Sequence, residues 1–227
     1  MIGLINNKYI DIHTHRKANS EDQFTIHNIF AIDFNPNELI SKNYYSVGLH
    51  PWHIEEGKID MQLQNVLLAA QNKNVLAIGE IGLDRTIDVS IELQTKIFIE
   101  QIKIAEQVNK PIIVHCVKTY SDIIALNKRL KIKVPLIFHG YNGNEQIMKQ
   151  LVLQKCYVSF GSWLMNQKSK AFETFLFGSP EFTFFETDES EYPLEDIYLR
   201  AAVLRNINLT ELLKQTEANF KRCFQWK

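Results

Sequence analysis

Short apolar runs alternate with longer amphipathic segments along the chain. Eight apolar runs predict strands at Tyr9–Ile12, Ile26–Ile32, Tyr44–Leu49, Val75–Ile78, Ile112–Val114, Leu136–Phe138, Tyr157–Phe160 and Phe182–Phe185. The amphipathic segments predict helices at Met61–Gln71, Ile91–Val108, Tyr120–Lys128, Glu145–Leu153, Lys168–Leu176, Ile197–Leu204 and Thr210–Cys223. This alternation is typical of successive βα units around a parallel sheet, and eight such strands are the number that closes a barrel. We therefore predict an α/β fold, a TIM-like (β/α)8 barrel.

The chain has no internal repeat, low-complexity tract or Gly/Ser-rich linker. A chain of 227 residues with 45% hydrophobic content can bury one substantial core. We expect a single domain over residues 1–227.

Polar side chains recur where the predicted strands end. They follow or end the first, third, fourth, fifth, sixth and eighth strands, and they are His13, His15, His50, Glu80, His115, His139 and Asp188. The carboxyl ends of parallel barrel strands lie on one face, where enzymes of this fold build their sites. These residues, although dispersed along the chain, are therefore expected to converge there.

Composition narrows the class of protein. Lys and Arg total 25 against 26 Asp and Glu, and the formal net charge of -1 gives no general attraction for a polyanion. Three cysteines without paired C-x-x-C spacing predict neither a disulfide framework nor a thiolate zinc site, and they fit a reducing cytoplasm. The absence of a basic and then apolar leader, and of a long apolar run, predicts neither secretion nor a membrane span.

The strand-end residues are of the types that bind divalent metals. Imidazoles and carboxylates bind Zn, Mn or similar ions. Even with His50 set apart as a residue that flanks the pocket, four histidines, one glutamate and one aspartate are too many ligands for one tetrahedral zinc. Two divalent ions, with Zn, Mn or Mg as candidates, are the natural interpretation. A pair of ions held by such groups predicts metal-assisted hydrolysis.

The order of these motifs carries a family resemblance. The matching pieces are Asp11-Ile-His13-Thr-His15, Gly48-Leu-His50-Pro51, Gly79-Glu80-Ile-Gly82-Leu-Asp84, a helix with Gln94, Phe98 and Gln101, Pro111-Ile-Ile-Val-His115, His139-Gly-Tyr-Asn-Gly143, Glu186-Thr187-Asp188 and Asn219-Phe-Lys-Arg-Cys-Phe224. Together they resemble the TatD family of metal-dependent hydrolases, within the amidohydrolase superfamily. The block from Gly79 to Asp84 is the specific one, because His-x-His alone also occurs in other phosphoesterases and amidohydrolases.

The resemblance implies roles for the individual residues. It implies that His13 and His15 hold one metal together with Asp188, that His115 and His139 hold the other, and that Glu80 bridges the two ions. Asp188 would also accept the proton of the attacking water, and the implied activity is that of a phosphodiesterase acting on DNA.

The chain departs from the family at two basic positions. Val117 stands where the family usually has arginine, with Lys118 next to it, and Glu189-Ser190-Glu191 replaces a loop that contains Arg-Gly-Lys. Since basic groups suit phosphate contacts, two alternatives to a nuclease stay open: a hydrolase of a small phosphoester or amide, and a non-catalytic metal-binding protein.

Substrate contacts are expected from side chains that flank the metal ligands. The candidates are His50, His53 and Lys118, while Trp52 and Trp163 are interpreted as packed aromatic groups, with stacking on a base as the alternative. The expected partner is DNA or a small phosphoester, no membrane is expected, and the sequence leaves protein partners open.

Overall fold

A computed structural model describes residues 5, 7–16, 20–32, 34–35 and 43–226. Its strands are β1 (Tyr9–Thr14), β2 (Gln23–Phe30), β3 (Tyr44–Gly48), β4 (Val75–Asp84), β5 (Ile112–Val117), β6 (Leu136–Phe138), β7 (Tyr157–Phe160) and β8 (Thr183–Phe185). Its helices are α1 (Ile59–Ala70), α2 (Ile91–Val108), α3 (Tyr120–Leu130), α4 (Glu145–Leu153), α5 (Lys170–Thr174), α6 (Leu194–Arg205) and α7 (Leu209–Cys223). The strands follow one another in sheet order from β1 to β8 and form a closed barrel, which confirms the predicted fold class.

The chain forms two compact units. The first comprises Met1–Thr25 and His139–Lys227, and the second comprises Ile26–Phe138. In the second unit β3, β4, β5 and β6 are paired in parallel, and α2 packs on β4. Its core is largely aliphatic, because Val, Ile, Leu and Ala supply most of the buried apolar side chains of these strands, as expected for parallel strands covered on both faces.

The first unit has an aromatic core. Strand β8 pairs with β1 on one side and with β7 on the other. Four aromatic rings form a row in which each contacts the next, at centroid distances of 4.5 to 6.3 Å; in order they are Phe160, Phe175, Phe185 and Tyr198. The Tyr198 hydroxyl also accepts from the Ile10 amide and donates to the Ile10 carbonyl, at 3.0 Å each, so that helix α6 is fixed to β1.

Local sequence signals set the ends of the helices. The Ser90 hydroxyl accepts from the Leu93 amide at the start of α2, and Asn109 ends the helix in a left-handed conformation. A capping box of Asn208 and Glu211 starts α7.

Strands four and five are longer than the sequence pattern predicts. The prediction that Glu80 ends its strand is wrong, since β4 continues to Asp84, and His115 likewise lies within β5. The cause is a register shift: Ile78 pairs with Ile112, but Ile81 pairs with Val114, so one extra residue on β4 is accommodated before pairing resumes. Glu80 lies in this irregular segment.

The predicted helix at 168–176 is also shorter than expected. Helix α5 ends at Thr174, and a 3-10 turn from Phe175 to Phe177 follows. Within the described ranges, no helix has the length and apolar character needed to cross a bilayer.

Candidate active site

Strands β4 and β5 of the second unit bring a carboxylate and an imidazole together. Glu80 Oε1 is in close contact with His115 Nδ1, and it lies 3.3 Å from Nε2 of His50, which follows β3. The candidate ligand atoms of these three residues all lie within 4.8 Å of one another, and all three side chains are buried. This cluster is called the Glu80 group.

Asp84, at the end of β4, orients His115 of the Glu80 group. Its Oδ2 lies 3.1 Å from His115 Nε2 and accepts from the Trp52 indole at 2.9 Å, while its Oδ1 accepts from the Thr86 amide and hydroxyl. Burial alone would raise the pKa of Asp84, but the hydrogen bonds from Thr86, Trp52 and His115 outweigh it and hold the pKa at about 2. Asp84 is therefore an anion, which can accept a hydrogen bond from an Nε2–H group of His115.

Two glutamines of α2 hold the backbone beside this group. The Gln101 side chain accepts from the Leu49 amide at 2.8 Å and donates to the Leu49 carbonyl at 3.0 Å, directly before His50. The Gln94 side chain makes the same two hydrogen bonds with Asp84, at 2.7 and 2.9 Å. All four bonds are buried, so the backbone at both positions is fixed without water.

Two glycines of the motif allow β4 and β5 to approach each other. A Cβ atom at Gly82 would collide with the His115 carbonyl oxygen, and one at Gly79 would lie 2.6 Å from Ile113 Cβ. The glycines thus permit the backbone spacing that places His115 beside Glu80.

The first unit holds a second cluster around β1 and β8. The Oδ1 atom of Asp188 lies 3.7 Å from Nε2 of His13 and 3.7 Å from Nε2 of His15, and the His13 and His139 ring centroids are 4.4 Å apart. Candidate ligand atoms of His13, His139 and Asp188 all lie within 4.8 Å of one another. These three residues, together with the adjacent His15, are called the Asp188 group.

A buried network sets the position of Asp188. The Asp188 amide donates to the His13 carbonyl, and its carbonyl accepts from the His15 amide and the Thr14 hydroxyl. The preceding residue, Thr187, donates from its amide and its hydroxyl to Asp11, at 3.0 and 2.6 Å. Complete burial raises the pKa of Asp11 to about 7, although these hydrogen bonds from Thr187 act in the opposite direction.

Glu186 orients His139 of the Asp188 group. Its Oε1 lies 3.4 Å from His139 Nδ1 and accepts from the Gly140 amide at 2.6 Å. Burial would raise the pKa of this carboxyl, but the hydrogen bond and charge of His139 outweigh burial and keep the pKa below its usual range. Each group therefore contains a histidine with a carboxylate against its other ring nitrogen, as in carboxylate–histidine–metal triads.

The residues present fit divalent cations. If Nε2–H of His115 donates to Asp84, the Nδ1 lone pair and the Glu80 oxygen face the same point, which a cation would satisfy. In the Asp188 group the 3.7 Å separations are too long for hydrogen bonds. Two donors that are each about 2.1 Å from one ion at a tetrahedral angle lie roughly 3.4 Å apart.

The structure brings the six predicted metal ligands into these two clusters. Glu80 and His115 lie in the Glu80 group, while His13, His15, His139 and Asp188 lie in the Asp188 group. The predicted pairing of His139 with His115 on one ion stays a prediction, and His139 here lies beside His13.

The three residues predicted to contact the substrate lie in different surroundings. His50 joins the Glu80 group, whereas the His53 ring packs on Phe30 at 4.4 Å. Lys118 is exposed directly after β5. The interpretation of Trp52 and Trp163 as packed groups is wrong, because their exposed fractions are 60% and 49%; Trp52 is oriented instead by its bond to Asp84.

The sequence pattern predicts no site role for Glu186, whereas it offers two for Asp84, either fixing the loop after Glu80 or contacting a ligand histidine; the 3.1 Å distance to His115 fits the second. A signal for Glu186 was present, because it stands two residues before Asp188, and residues two apart on an extended segment point to the same side. Asp84 stands four residues after Glu80, an even spacing on the same strand.

Comparison with known proteins assigns the chain to a family. A family model described as TatD related DNase matches residues 35–225, so the chain belongs to that family. The match includes the whole Glu80 group and begins after His13 and His15.

Curated relatives match over part of their length. An uncharacterized metal-dependent hydrolase of Haemophilus influenzae is 33% identical over 114 residues, covering 48% of this chain and 44% of that protein. The 3'-5' ssDNA/RNA exonuclease TatD of Escherichia fergusonii is 29% identical over 125 residues, covering 54% of this chain and 48% of that protein. The chain thus spans about half the length of the curated relatives it matches.

Solved structures match over nearly the entire chain. YJJV, a TatD homologue from Escherichia coli, has a TM-score of 0.82 at 21% identity and covers 98% of this chain and 99% of its own. A TatD family hydrolase from Entamoeba histolytica has a TM-score of 0.75 at 18% identity, covering 97% of this chain and 99% of its own. These likenesses support the barrel fold.

Proposed function

We propose that the protein is a two-metal phosphodiesterase that removes terminal nucleotides from single-stranded DNA. The observation that carries the proposal is the pair of histidine and carboxylate groups, each with the ligand atoms of three residues within 4.8 Å of one another. Membership of the TatD related DNase family supports the reaction class, and the name of the Escherichia fergusonii relative supports the single-stranded substrate. The three free cysteines support a cytoplasmic location.

The proposed metal ligands are six of the side chains in the two groups. Glu80 and His115 would hold one ion, and His13, His15, His139 and Asp188 would supply the other. Divalent ions in such groups lower the pKa of water and stabilise negative charge on phosphate oxygens. Zn, Mn and Mg are the candidates.

Asp188 is the proposed proton acceptor. Its carboxylate is 40% exposed, whereas Glu80 and Glu186 are almost completely buried, so Asp188 can be reached by a water molecule. Its backbone is fixed by β1, which holds the carboxylate at a defined point. A positioned carboxylate of this kind takes the proton of the attacking water.

His50 is proposed as a hydrogen-bond donor to the substrate rather than as a ligand. Its Nδ1 accepts from the Trp52 amide at 3.2 Å, so a neutral ring carries its proton on Nε2. A protonated nitrogen does not bind a metal, but it donates to Glu80 or to a phosphate oxygen. Lys118 and the exposed face of Trp52 would add a charge and a stacking surface.

The test is metal-dependent cleavage of end-labelled single strands by purified protein. We expect chelator-treated protein to be inactive, and we expect one of Mn, Mg or Zn to restore the release of mononucleotides. Glu80→Gln lowers both bound metal and rate, while the matched control Glu100→Gln, on the exposed face of α2, changes neither. Restored activity in Glu80→Gln, or no cleavage with any metal, contradicts the nuclease proposal.

A small phosphoester is the second candidate substrate. It is favoured by Val117 and by Glu189-Ser190-Glu191, which stand where the family usually has basic groups. A chromogenic phosphodiester turned over by protein that leaves every oligonucleotide intact would select this candidate. Metal binding without turnover of either substrate would select a non-catalytic protein.

A further inference from the structure

The first unit contains a cavity of about 560 Å³ that is separate from the Asp188 group. It lies between α6, α7 and the start of β8, and its apolar wall includes Leu176, Pro180, Phe185, Ile207 and Leu212. Thr183 lines the cavity, and Asp188 follows the other end of the same strand, on the order of 15 Å away along the chain. The volume is within the range of roughly 300–1,000 Å³ that is common for small-molecule sites.

One half-buried cation lies in this apolar wall. Arg205, the last residue of α6, lines the cavity, and its guanidinium stacks on the Phe175 ring at 4.5 Å. Its Nη2 donates to the carbonyls of Gly178 and Phe175, at 3.1 and 3.5 Å, and to the Thr183 hydroxyl at 3.4 Å. The guanidinium is therefore held in one orientation before any ligand binds.

The hydrogen bonds of Arg205 leave donors for a ligand. Within the described part of the chain they all come from Nη2, whereas a guanidinium has further N–H groups on Nε and Nη1. No acidic side chain of the described residues forms an ion pair with Arg205, and burial lowers its pKa. A charge that is partly desolvated and has only neutral partners is stabilised by an anion in the cavity.

The charges of the wall indicate the class of anion. Besides Arg205 the cavity is lined by Lys214 and Glu211, and Glu211 accepts from the Asn208 amide in the capping box of α7. A carboxylate brings one negative charge and can accept a hydrogen bond from an N–H group of Arg205 that the protein does not use, whereas a phosphate dianion would bring an additional charge close to Glu211. An apolar wall with one such cation fits a hydrocarbon chain that ends in a carboxylate.

We propose that this cavity binds a straight-chain monocarboxylate, with its carboxylate on Arg205 and its chain against the apolar wall. The site does not depend on the proposed hydrolase, because it involves no residue of the Glu80 or Asp188 group.

The test is calorimetric titration of the full chain with hexanoate, octanoate and decanoate. Affinity is expected to rise about fourfold per added methylene, as apolar burial requires. Octanol and octylamine, which have the same chain without the negative charge, are expected to bind at least about tenfold more weakly than octanoate. Binding of octanol with the affinity of octanoate, or no binding of decanoate at millimolar concentration, overturns the proposal.

Three variants locate the binding. Arg205→Met is expected to weaken octanoate binding by about tenfold or more. The matched control is Arg200→Met, which removes another arginine of α6 that stacks on Phe172 of α5, and it is expected to leave octanoate binding unchanged. Ala218→Trp fills the cavity from an exposed position and does not touch the bonds of Arg205, so it decides the question if Arg205→Met fails to fold. Octanoate binding that survives Ala218→Trp places the ligand elsewhere and refutes the site.

Discussion

Asp188 combines an exposed carboxylate with a backbone conformation that few residues adopt. Its φ of 52° is in the left-handed region, which asparagine and aspartate tolerate better than other side chains. Three hydrogen bonds to the segment from His13 to His15, at the end of β1, maintain this conformation. Residues held in this way are common at functional sites, where the surrounding structure offsets their cost.

Asp188→Asn is expected to retain most of the bound metal and to lose about 10²- to 10⁴-fold in kcat. Asparagine also tolerates the left-handed conformation and keeps an oxygen ligand, but its amide cannot accept the proton. Metal content by elemental analysis and the rate on a labelled oligonucleotide measure the two effects.

The control for this variant is Asp88→Asn, at an exposed loop position, for which we expect unchanged metal content and rate. A parental rate in Asp188→Asn would show that another group takes the proton.

The proposed ligands could be identified from the sequence because each one follows or ends an apolar run. His13, His15, His115, His139 and Asp188 needed only that pattern and the family resemblance. The role of His50 required the contact of its Nδ1 with the Trp52 amide, which no pattern contains. The exposure of Trp52 likewise depends on the 3-10 turn from Pro51 to His53.

At the scale of elements, the predicted bounds of a helix or strand agree with the structure where nearby residues alone determine its ends. The bounds of α2, α4, β6 and β7 match the prediction, because caps and apolar periodicity mark their ends. The length of β4 could not be predicted, since the extra residue between Ile78 and Ile81 exists only relative to the partner strand β5. The even spacing of Glu80 and Asp84 becomes meaningful only once both are placed on one strand.

The connection between α2 and β5 contains a lysine that should make stability depend on pH. Lys110 Nζ donates to the carbonyls of Ala70 and Asn72, at 2.5 and 3.0 Å. Burial nevertheless lowers the pKa of Lys110 from its ordinary value of 10.5 to about 8. The folded state then binds this proton less readily than the unfolded chain, so the penalty is fully present below pH 8 and is relieved between pH 8 and 10.5.

We expect the free energy of unfolding to rise over this window by a contribution on the order of 1 kcal/mol, since Lys110 is only half-buried. Urea unfolding at pH 7.5 and at pH 10 measures it, and the Lys110→Met variant should lose that rise. The matched control is Lys103→Met, which removes an exposed lysine of α2 that pairs with Glu100. Equal pH dependence in both variants would contradict the assignment.

At the scale of the whole molecule, the charge is nearly balanced. The net charge is -1, and the two basic features typical of the family are absent from this chain. Nucleic-acid affinity depends on the number of phosphates that basic groups neutralise. The protein is therefore expected to hold DNA mainly at the nucleotide whose phosphate reaches the metals.

We expect the logarithm of DNA affinity to fall by about 0.7 to 1.4 per unit of log salt concentration, which corresponds to one or two phosphates on a single strand. Titrating a fluorescent oligonucleotide at several salt concentrations measures this slope, and rates on oligonucleotides of different length show whether distant phosphates contribute. A steep slope would indicate a basic surface that the sequence does not predict.

The two glutamine side chains of α2 act as substitute peptide groups. Each primary amide meets the N–H and the C=O of a single residue, Leu49 or Asp84, in the way that a neighbouring strand would. The hydrogen-bond ladder is thereby extended beyond the point where the sheet can supply a partner. Glutamate has no hydrogen to give the carbonyl, and asparagine is one methylene too short, so only glutamine has both the chemistry and the reach for these two positions. A helix that packs on the sheet thus determines the backbone path at two places where strands end, after β3 and at the end of β4.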